Sequence, residues 1–116
     1  MKDPFIFLEH IFDNLLDIKE FSNKLSKESF EKDKLRQNAI IRSLEVIGEA
    51  VKNIPNDFKK KHSTIPWKEI AGMRDKLMHH YFGVDLDLVW NVVKNDVPKL
   101  EKGLREILKS KKKVAS

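Results

Sequence analysis

Apolar residues recur at intervals of three and four along most of the chain, which is the period of one face of an α-helix. The first stripe follows Asp3 and Pro4, a favourable N-cap and first helical residue, and predicts a helix to about Leu25. The second stripe predicts a long helix from about Ser29 to Ile54, which the following proline ends because proline disfavours a helical conformation of the residue before it. The apolar members of the two stripes are Phe5, Leu8, Ile11, Phe12, Leu15 and Leu16 in the first and Leu35, Ala39, Ile40, Leu44, Ile47 and Val51 in the second.

The next part of the chain predicts one short helix and one long helix. Residues 56–61 fit a short polar helix. Start signals before Trp67 then predict a third main helix to about Phe82. Gly83 fits the C-terminal cap of that helix, because the capping position needs a left-handed backbone. Gly48, on the second predicted helix, allows close approach of a neighbour.

The last apolar stripe predicts a fourth main helix that begins at Asp85 or Asp87. Pro98 lies in its middle and removes one backbone hydrogen bond, which predicts a kink. No segment alternates apolar and polar residues with the period of a strand. We therefore expect an all-α fold, an up-and-down bundle of four main helices plus one short helix, over residues 1–110, with a basic disordered tail at 111–116.

The composition fits one soluble helical domain. The chain has 116 residues, of which 41% are hydrophobic and 35% charged, enough for one core of amphipathic helices. The absence of cysteine excludes disulfides, zinc–thiolate sites and thiol catalysis. No stretch approaches the roughly 20 apolar residues of a membrane span, and charged residues interrupt residues 1–16, unlike a signal peptide. We expect a cytoplasmic protein that makes no membrane contact.

The net charge of +5 lies entirely near the C-terminus, because Lys99 to Lys113 contains seven basic and two acidic residues. Such a segment is either the solvated end of a helix or a surface that contacts a phosphate backbone, and its composition does not decide between the two. Lysine outnumbers arginine 19 to 4. Because arginine grips phosphate with two parallel hydrogen bonds, its few positions are the first places to look for a phosphate contact.

The segment RDKLMHHYFG carries the candidate chemistry, with Arg74, His79 and Tyr81 as its main polar members. On an unbroken helix Arg74 and Tyr81 share a face, about 20° apart, whereas His79 lies about 140° from Arg74. One helix does not assemble a site from these residues, but two copies of it, or a helix end unwound near Gly83, could do so. Adjacent His79 and His80 cannot bind one metal ion from a helix, where ligand pairs are three or four residues apart, so we expect no metal and no cofactor.

An arginine and a histidine together suit the cleavage of RNA without metal. Histidine accepts and donates protons near neutral pH, and a guanidinium stabilises the charge that develops on a phosphoryl group. His79 would act as general acid or base, and Arg74 would bind the phosphate while the ribose 2′-hydroxyl attacks phosphorus. The alternative from the residues alone is that the spacing arose by chance, with Arg74 and Asp75 on a solvated face and Tyr81 in a core or interface.

The motif lies within a longer stretch that begins at Ile65, IPWKEIAGMRDKLMHHYFGVDLDLVWNVVKNDVPKLEKGL. An earlier stretch, RSLEVIGEAVKNIP, begins at Arg42. Together they resemble the HepT-like branch of the HEPN superfamily from about Arg42 to Leu108, with a weaker similarity in the first helix. The family motif, which is Arg, four residues, His, any residue and Tyr, is complete here. The flanking IPW and Gly72 also match. The resemblance implies a HEPN-like helical fold.

The resemblance also implies an endoribonuclease toxin of a two-gene toxin–antitoxin module. Such proteins form homodimers, in which the Arg and His of both chains, here Arg74 and His79, meet in one metal-independent RNA cleft. The implied partner is a minimal nucleotidyltransferase antitoxin that uses ATP and Mg²⁺ to transfer AMP to the motif tyrosine, here Tyr81. AMP groups at that position would bring competing phosphates close to Arg74 and block RNA entry.

Two other hypotheses remain beside the nuclease. The chain could be a non-catalytic nucleotide-binding or regulatory subunit of a minimal nucleotidyltransferase, with Arg74 on a phosphate, or a dimeric scaffold. Glu45 and Glu49 lie one helical turn apart in the family-like stretch. Glu49 is a candidate partner that orients Arg74 or His79, with a purely structural role as the alternative.

Overall fold

The computed structural model describes residues 3–79 and 83–115, and it confirms the all-α fold. Three helices of 19 residues form the frame: α1 (Pro4–Ser22), α3 (Lys34–Lys52) and α8 (Val97–Ala115). The connecting elements within the described residues are α2 (Lys27–Lys32), α4 (Asn56–Lys61), α5 (Trp67–Ala71), α6 (Met73–Leu77), β1 (Met78–His79), β2 (Gly83–Val84), α7 (Leu86–Asn91) and a π-helical turn (Val92–Asp96). None of the described helices is long and apolar enough to cross a membrane.

Aspartate side chains begin several of these helices. The carboxylate of Asp3 accepts a hydrogen bond from the backbone N–H two residues later at 2.9 Å, and Asp85 accepts one three residues later at 3.1 Å. Both predicted helix starts are confirmed. The predicted unbroken helix from Ser29 to Ile54 is wrong, because Asp33 has φ −108° and ψ 84°, outside the helical region. Asp33 therefore ends α2 and caps α3, where its carboxylate accepts from the Arg36 N–H at 3.0 Å.

The core lies mainly between α1 and α3. Each buried aliphatic side chain there stabilises the fold by about 1.5–3 kcal/mol relative to an exposed one. Leu35, which the sequence pattern placed in the same stripe, is 82% exposed because it lies in the first turn of α3, beside the break at Asp33. The residues that the pattern assigned to the core and that have at most 1% of their surface exposed are Leu8, Ile11 and Leu15 of α1 and Ile40, Leu44, Ile47 and Val51 of α3.

A glycine on α3 brings α5 and α6 against the frame. A Cβ atom on Gly48 would lie only 3.3 Å from the backbone oxygen of Ile70 on α5. The close approach predicted for Gly48 is confirmed. Met73 and Leu77 of α6 are 8% and 2% exposed, and α6 contacts α3. These contacts fix the position of the segment that contains the candidate motif.

The predicted third main helix is wrong in its extent. It was expected to run from about Trp67 to Phe82, but the chain forms two helices of five residues, α5 and α6, and the second ends at Leu77. The break between them falls at Gly72, which has φ −88° and ψ 5° as the C-cap of α5. Glycine weakens a helix interior by about 1 kcal/mol relative to alanine, so a break there costs little.

A short antiparallel strand pair follows α6. Met78 lies opposite Val84, and His79 lies opposite Gly83. Gly83 has φ +80°, so it adopts the left-handed backbone that was predicted for it, but within the strand pair and not at a helix end. The backbone of the motif is therefore extended at His79.

The irregularity predicted around Pro98 takes the form of the π-helical turn. The N–H of Val97 donates to the carbonyl oxygen of Val92, five residues earlier. Pro98 has no N–H with which to continue regular helical bonding, and such gaps favour a local widening of the helix. The backbone of α8 then continues to Ala115, into residues that the sequence assigned to a disordered tail; the division of the chain at residue 110 stays a prediction.

Candidate functional site

Arg74 lies on the exposed side of α6. Its side chain is 66% exposed, while Met73 and Leu77 of the same helix are buried against the core. The Nε atom of Arg74 lies 3.3 Å from Oε2 of Glu45 on α3. This ion pair connects the motif to the helical frame, and the guanidinium contacts no other charged side chain in the described part of the chain.

Glu45, and not Glu49, is the acidic partner of Arg74. The Glu45 side chain is 28% exposed and lies one turn before Gly48, where α3 and α5 approach closely. Glu49 is 69% exposed and pairs with Lys52 of its own helix at 3.2 Å. The hypothesis that Glu49 orients Arg74 is therefore wrong, and its alternative, that Glu49 orients His79, stays a prediction. The sequence spacing on α3 could not distinguish the two glutamates as partners of Arg74.

The other two motif residues follow the end of α6. His79 belongs to β1, two residues beyond Leu77, and its backbone pairs with Gly83. The angles expected for one unbroken helix therefore do not apply to Arg74 and His79, because the helix ends at Leu77. Whether the site forms within one chain or between two copies stays a prediction. Tyr81 and His80 lie outside the described residues. The catalytic role of His79 and the modification of Tyr81 stay predictions.

The described part of the site offers an arginine cation held by one carboxylate. A carboxylate next to Nε leaves the outer edge of the guanidinium, where Nη1 and Nη2 present parallel N–H donors, to form a paired contact with phosphate oxygens. Among the described residues, no three His, Asp or Glu side chains are grouped so as to hold a metal ion. The chemistry that these groups favour is the binding of an oxyanion by Arg74.

A groove of about 720 Å³ lies beside this segment, between α5 and α6 on one side and α8 on the other. Its floor is apolar and includes Met73 and Leu100. Charged residues of both signs line it, among them Lys76, Lys99 and Lys102 with Glu69, Asp96 and Glu106. Arg74 is not part of this lining, so the groove and the arginine present two separate surfaces.

In the basic segment near the C-terminus, Arg105 makes contacts within the chain. Nε of Arg105 lies 3.0 Å from Oε2 of Glu101, and its guanidinium lies 4.8 Å from the ring centre of Phe12. Lys19 of α1 pairs with the same glutamate at 3.1 Å. Burial opposes ionisation of Glu101, but the hydrogen bonds from Lys19 and Arg105 outweigh it and hold the pKa of this carboxyl below its usual value. Arg105 therefore joins α8 to α1.

The fold and the site define a helical domain with an exposed arginine, paired with a carboxylate, five residues before a histidine. A family model described as ribonuclease HepT-like matches residues 11–107, and the chain belongs to this family. The resemblance seen in the sequence is thereby confirmed, together with the HEPN-like fold. No solved structure matches the chain at a significant level.

Several relatives are similar over most of their length. A provisionally named RNase of Caldanaerobacter subterraneus is 50% identical over 112 residues, which are 97% of this chain and all of that protein. Another of Methanocaldococcus jannaschii is 51% identical over 108 residues, 93% of this chain and 89% of the relative. A protein of Thermococcus cleftensis, provisionally named ribonuclease HepT, is 54% identical over 95 residues, 82% of this chain and 86% of the relative.

Proposed function

We propose that this chain is a metal-independent endoribonuclease, the toxin of a cytoplasmic two-gene toxin–antitoxin module. The observation that carries the proposal is the exposed guanidinium of Arg74 in a ribonuclease HepT-like chain, with Glu45 as its acidic partner among the described residues and Nε as the nitrogen nearest to that carboxylate. An exposed arginine with its terminal nitrogens available is suited to bind an RNA phosphate. The relatives named as RNases agree with RNA as the substrate.

The proposed reaction uses the ribose 2′-hydroxyl as the nucleophile. A base removes its proton, a bond forms between the 2′-oxygen and phosphorus, and the bond to the 5′-oxygen breaks while an acid protonates that oxygen. His79 supplies one proton transfer, and the His79 of a second copy in a homodimer supplies the other. Arg74 stabilises the negative charge that develops on the phosphoryl oxygens, a contribution that is often worth about 100-fold or more in rate.

The first test compares two substrates in EDTA. An RNA oligonucleotide is expected to be cut to products with 2′,3′-cyclic phosphate ends, whereas the same oligonucleotide with 2′-deoxyribose is expected to stay intact. His79→Ala is expected to lower the rate by about 100-fold or more. His10→Ala changes an exposed histidine of α1 and is the matched control. Cleavage of the deoxy substrate, or full activity of His79→Ala, would overturn the mechanism.

The proposed function includes a regulatory partner that inhibits the nuclease. A minimal nucleotidyltransferase antitoxin transfers AMP from ATP to the hydroxyl of Tyr81 and releases pyrophosphate. The added phosphates then compete with RNA for Arg74. Intact mass after co-expression with that partner is expected to show AMP increments that disappear in Tyr81→Phe; unmodified protein that is nevertheless inhibited would contradict this step.

Oligomeric state and nucleotide binding separate the nuclease from its main alternative. We expect a homodimer in solution, measurable by sedimentation equilibrium. If the dimer cuts no RNA but binds ATP, and Arg74→Ala abolishes that binding, the chain is a regulatory subunit of a nucleotidyltransferase and the nuclease proposal is wrong.

A further inference from the structure

We propose that Glu45 is a positioning residue, which holds the guanidinium of Arg74 in the orientation that binds the RNA phosphate. The inference rests on the proposed function. Arginine has a long side chain with considerable rotamer freedom, and catalysis needs a charged group placed with an accuracy of about 1 Å. The Arg74 side chain is 66% exposed, so packing alone does not fix it. The ion pair with Glu45 can fix the orientation of this side chain.

The atom through which the pair forms supports this role. Oε2 of Glu45 lies 3.3 Å from Nε of Arg74, on the inner edge of the guanidinium. A carboxylate at that edge leaves the outer edge of the guanidinium, between its two terminal nitrogens, available for a phosphate. A glutamate bound to the terminal nitrogens would compete with RNA, whereas this one restricts rotation of the group without covering it.

Glu45 is the fixed end of the pair. It follows Leu44, which is 1% exposed, on a helix whose next turn contains Gly48 in close contact with α5. Its side chain is 28% exposed, much less than that of Arg74. Because α3 belongs to the frame, the carboxylate of Glu45 holds a constant position, and the side chain of Arg74 adapts to it.

Glu49 provides a matched control on the same helix. It carries the same charge one turn later, but it pairs with Lys52 and not with the motif. Exposed ion pairs contribute little to stability, so neither Glu45→Gln nor Glu49→Gln is expected to unfold the protein. Equal thermal unfolding of both variants and the parent establishes that any difference in cleavage is local.

The two kinetic constants are expected to respond differently. Loss of the negative charge next to the site removes a repulsion toward RNA, so KM is not expected to rise in Glu45→Gln. Loss of orientation is expected to lower kcat by about 10- to 100-fold. Glu49→Gln is expected to keep both constants within about twofold of the parent, because changes at exposed sites are usually small. A purely structural role for Glu45 would not separate kcat from KM in this way.

A double-mutant cycle tests whether Glu45 acts through Arg74. In an Arg74→Ala background, Glu45→Gln is expected to cause no further loss, because a positioning residue has nothing left to position. If Glu45→Gln cleaves like the parent, or lowers kcat as strongly without Arg74 as with it, the inference is overturned.

A measurement without RNA separates this inference from the proposed function. The chain has four arginines, so ¹⁵N NMR resolves a small number of Nε–H signals, and Arg74→Lys assigns one of them. Glu45→Gln is expected to shift the Arg74 signal, and Glu49→Gln is not. An unshifted signal overturns the positioning role. If the signal shifts but the parent cuts no RNA, the proposed function has failed. The ion pair between Glu45 and Arg74 then stands, but its positioning role in RNA cleavage does not.

Discussion

In the core between α1 and α3, apolar side chains repeat at helical spacing and several are completely buried. Between Trp67 and Val84, by contrast, the described residues form two five-residue helices and a pair of two-residue strands. The core is supported by many equivalent contacts. The site segment depends on a few specific ones, above all the close approach at Gly48 and the ion pair of Arg74 with Glu45. Substitutions in the core should therefore change stability, and substitutions at these contacts should change function.

The largest effect on stability is expected from Leu44→Ala. Leu44 is 1% exposed in the core, and its truncation is expected to lower the free energy of unfolding by about 2–5 kcal/mol. Glu45→Gln, at the adjacent position, is expected to change it by less than about 1 kcal/mol, because its partner Arg74 is 66% exposed and solvent screens the ion pair. Urea unfolding measures both; similar losses would contradict the contrast between core and site.

A smaller loss in the free energy of unfolding is expected from Gly48→Ala. The added methyl group would lie 3.3 Å from the backbone oxygen of Ile70, which cannot move without shifting α5. After the gain in helix propensity, we expect a net destabilisation of about 1–2 kcal/mol together with slower RNA cleavage.

Gly103→Ala is the control for Gly48→Ala. Its added methyl group would lie 3.3 Å from Cγ1 of Ile65, an atom of a side chain that can rotate. This variant is expected to be neutral or to gain up to about 1 kcal/mol from helix propensity. If both glycine variants behave alike in unfolding and cleavage, the close approach at Gly48 does not position the site.

A smaller loss of stability than that of Gly48→Ala is expected at Glu101, where pH changes the contact between α1 and α8. Because the folded pKa lies below the ordinary value of 4.5, the ionised carboxylate stabilises the fold above that pH, and the contribution is lost as the pH falls through the folded pKa. Glu101→Gln is expected to cost about 1 kcal/mol at pH 7 and to flatten the pH dependence of unfolding below pH 5. An unchanged pH dependence would show that the glutamate is not held by Lys19 and Arg105.

The sequence predicts those parts of the fold that depend on local chemistry. The caps at Asp3 and Asp85, the close approach at Gly48 and the buried stripes of α1 and α3 follow from side-chain type and spacing. The break at Asp33 was missed although aspartate is a favourable N-cap, because the apolar period continues on both sides of it.

The site is less accessible to sequence reasoning, for physical reasons. A two-residue strand has no periodicity, so nothing in the pattern marks β1 and β2. Gly72 was the available signal that the helix breaks early. The choice between Glu45 and Glu49 depends on how α6 lies against α3, a tertiary contact that spacing along one helix does not contain.

The most direct test of the central claim is RNA cleavage by Arg74→Ala in the presence of EDTA. Arg36→Ala is the matched control, because Arg36 is also a half-exposed arginine in an ion pair, at 3.0 Å from Asp33, but lies outside the motif. We predict that Arg74→Ala loses about 100-fold or more of the activity, whereas Arg36→Ala retains it. Equal cleavage by the parent and Arg74→Ala would contradict the account.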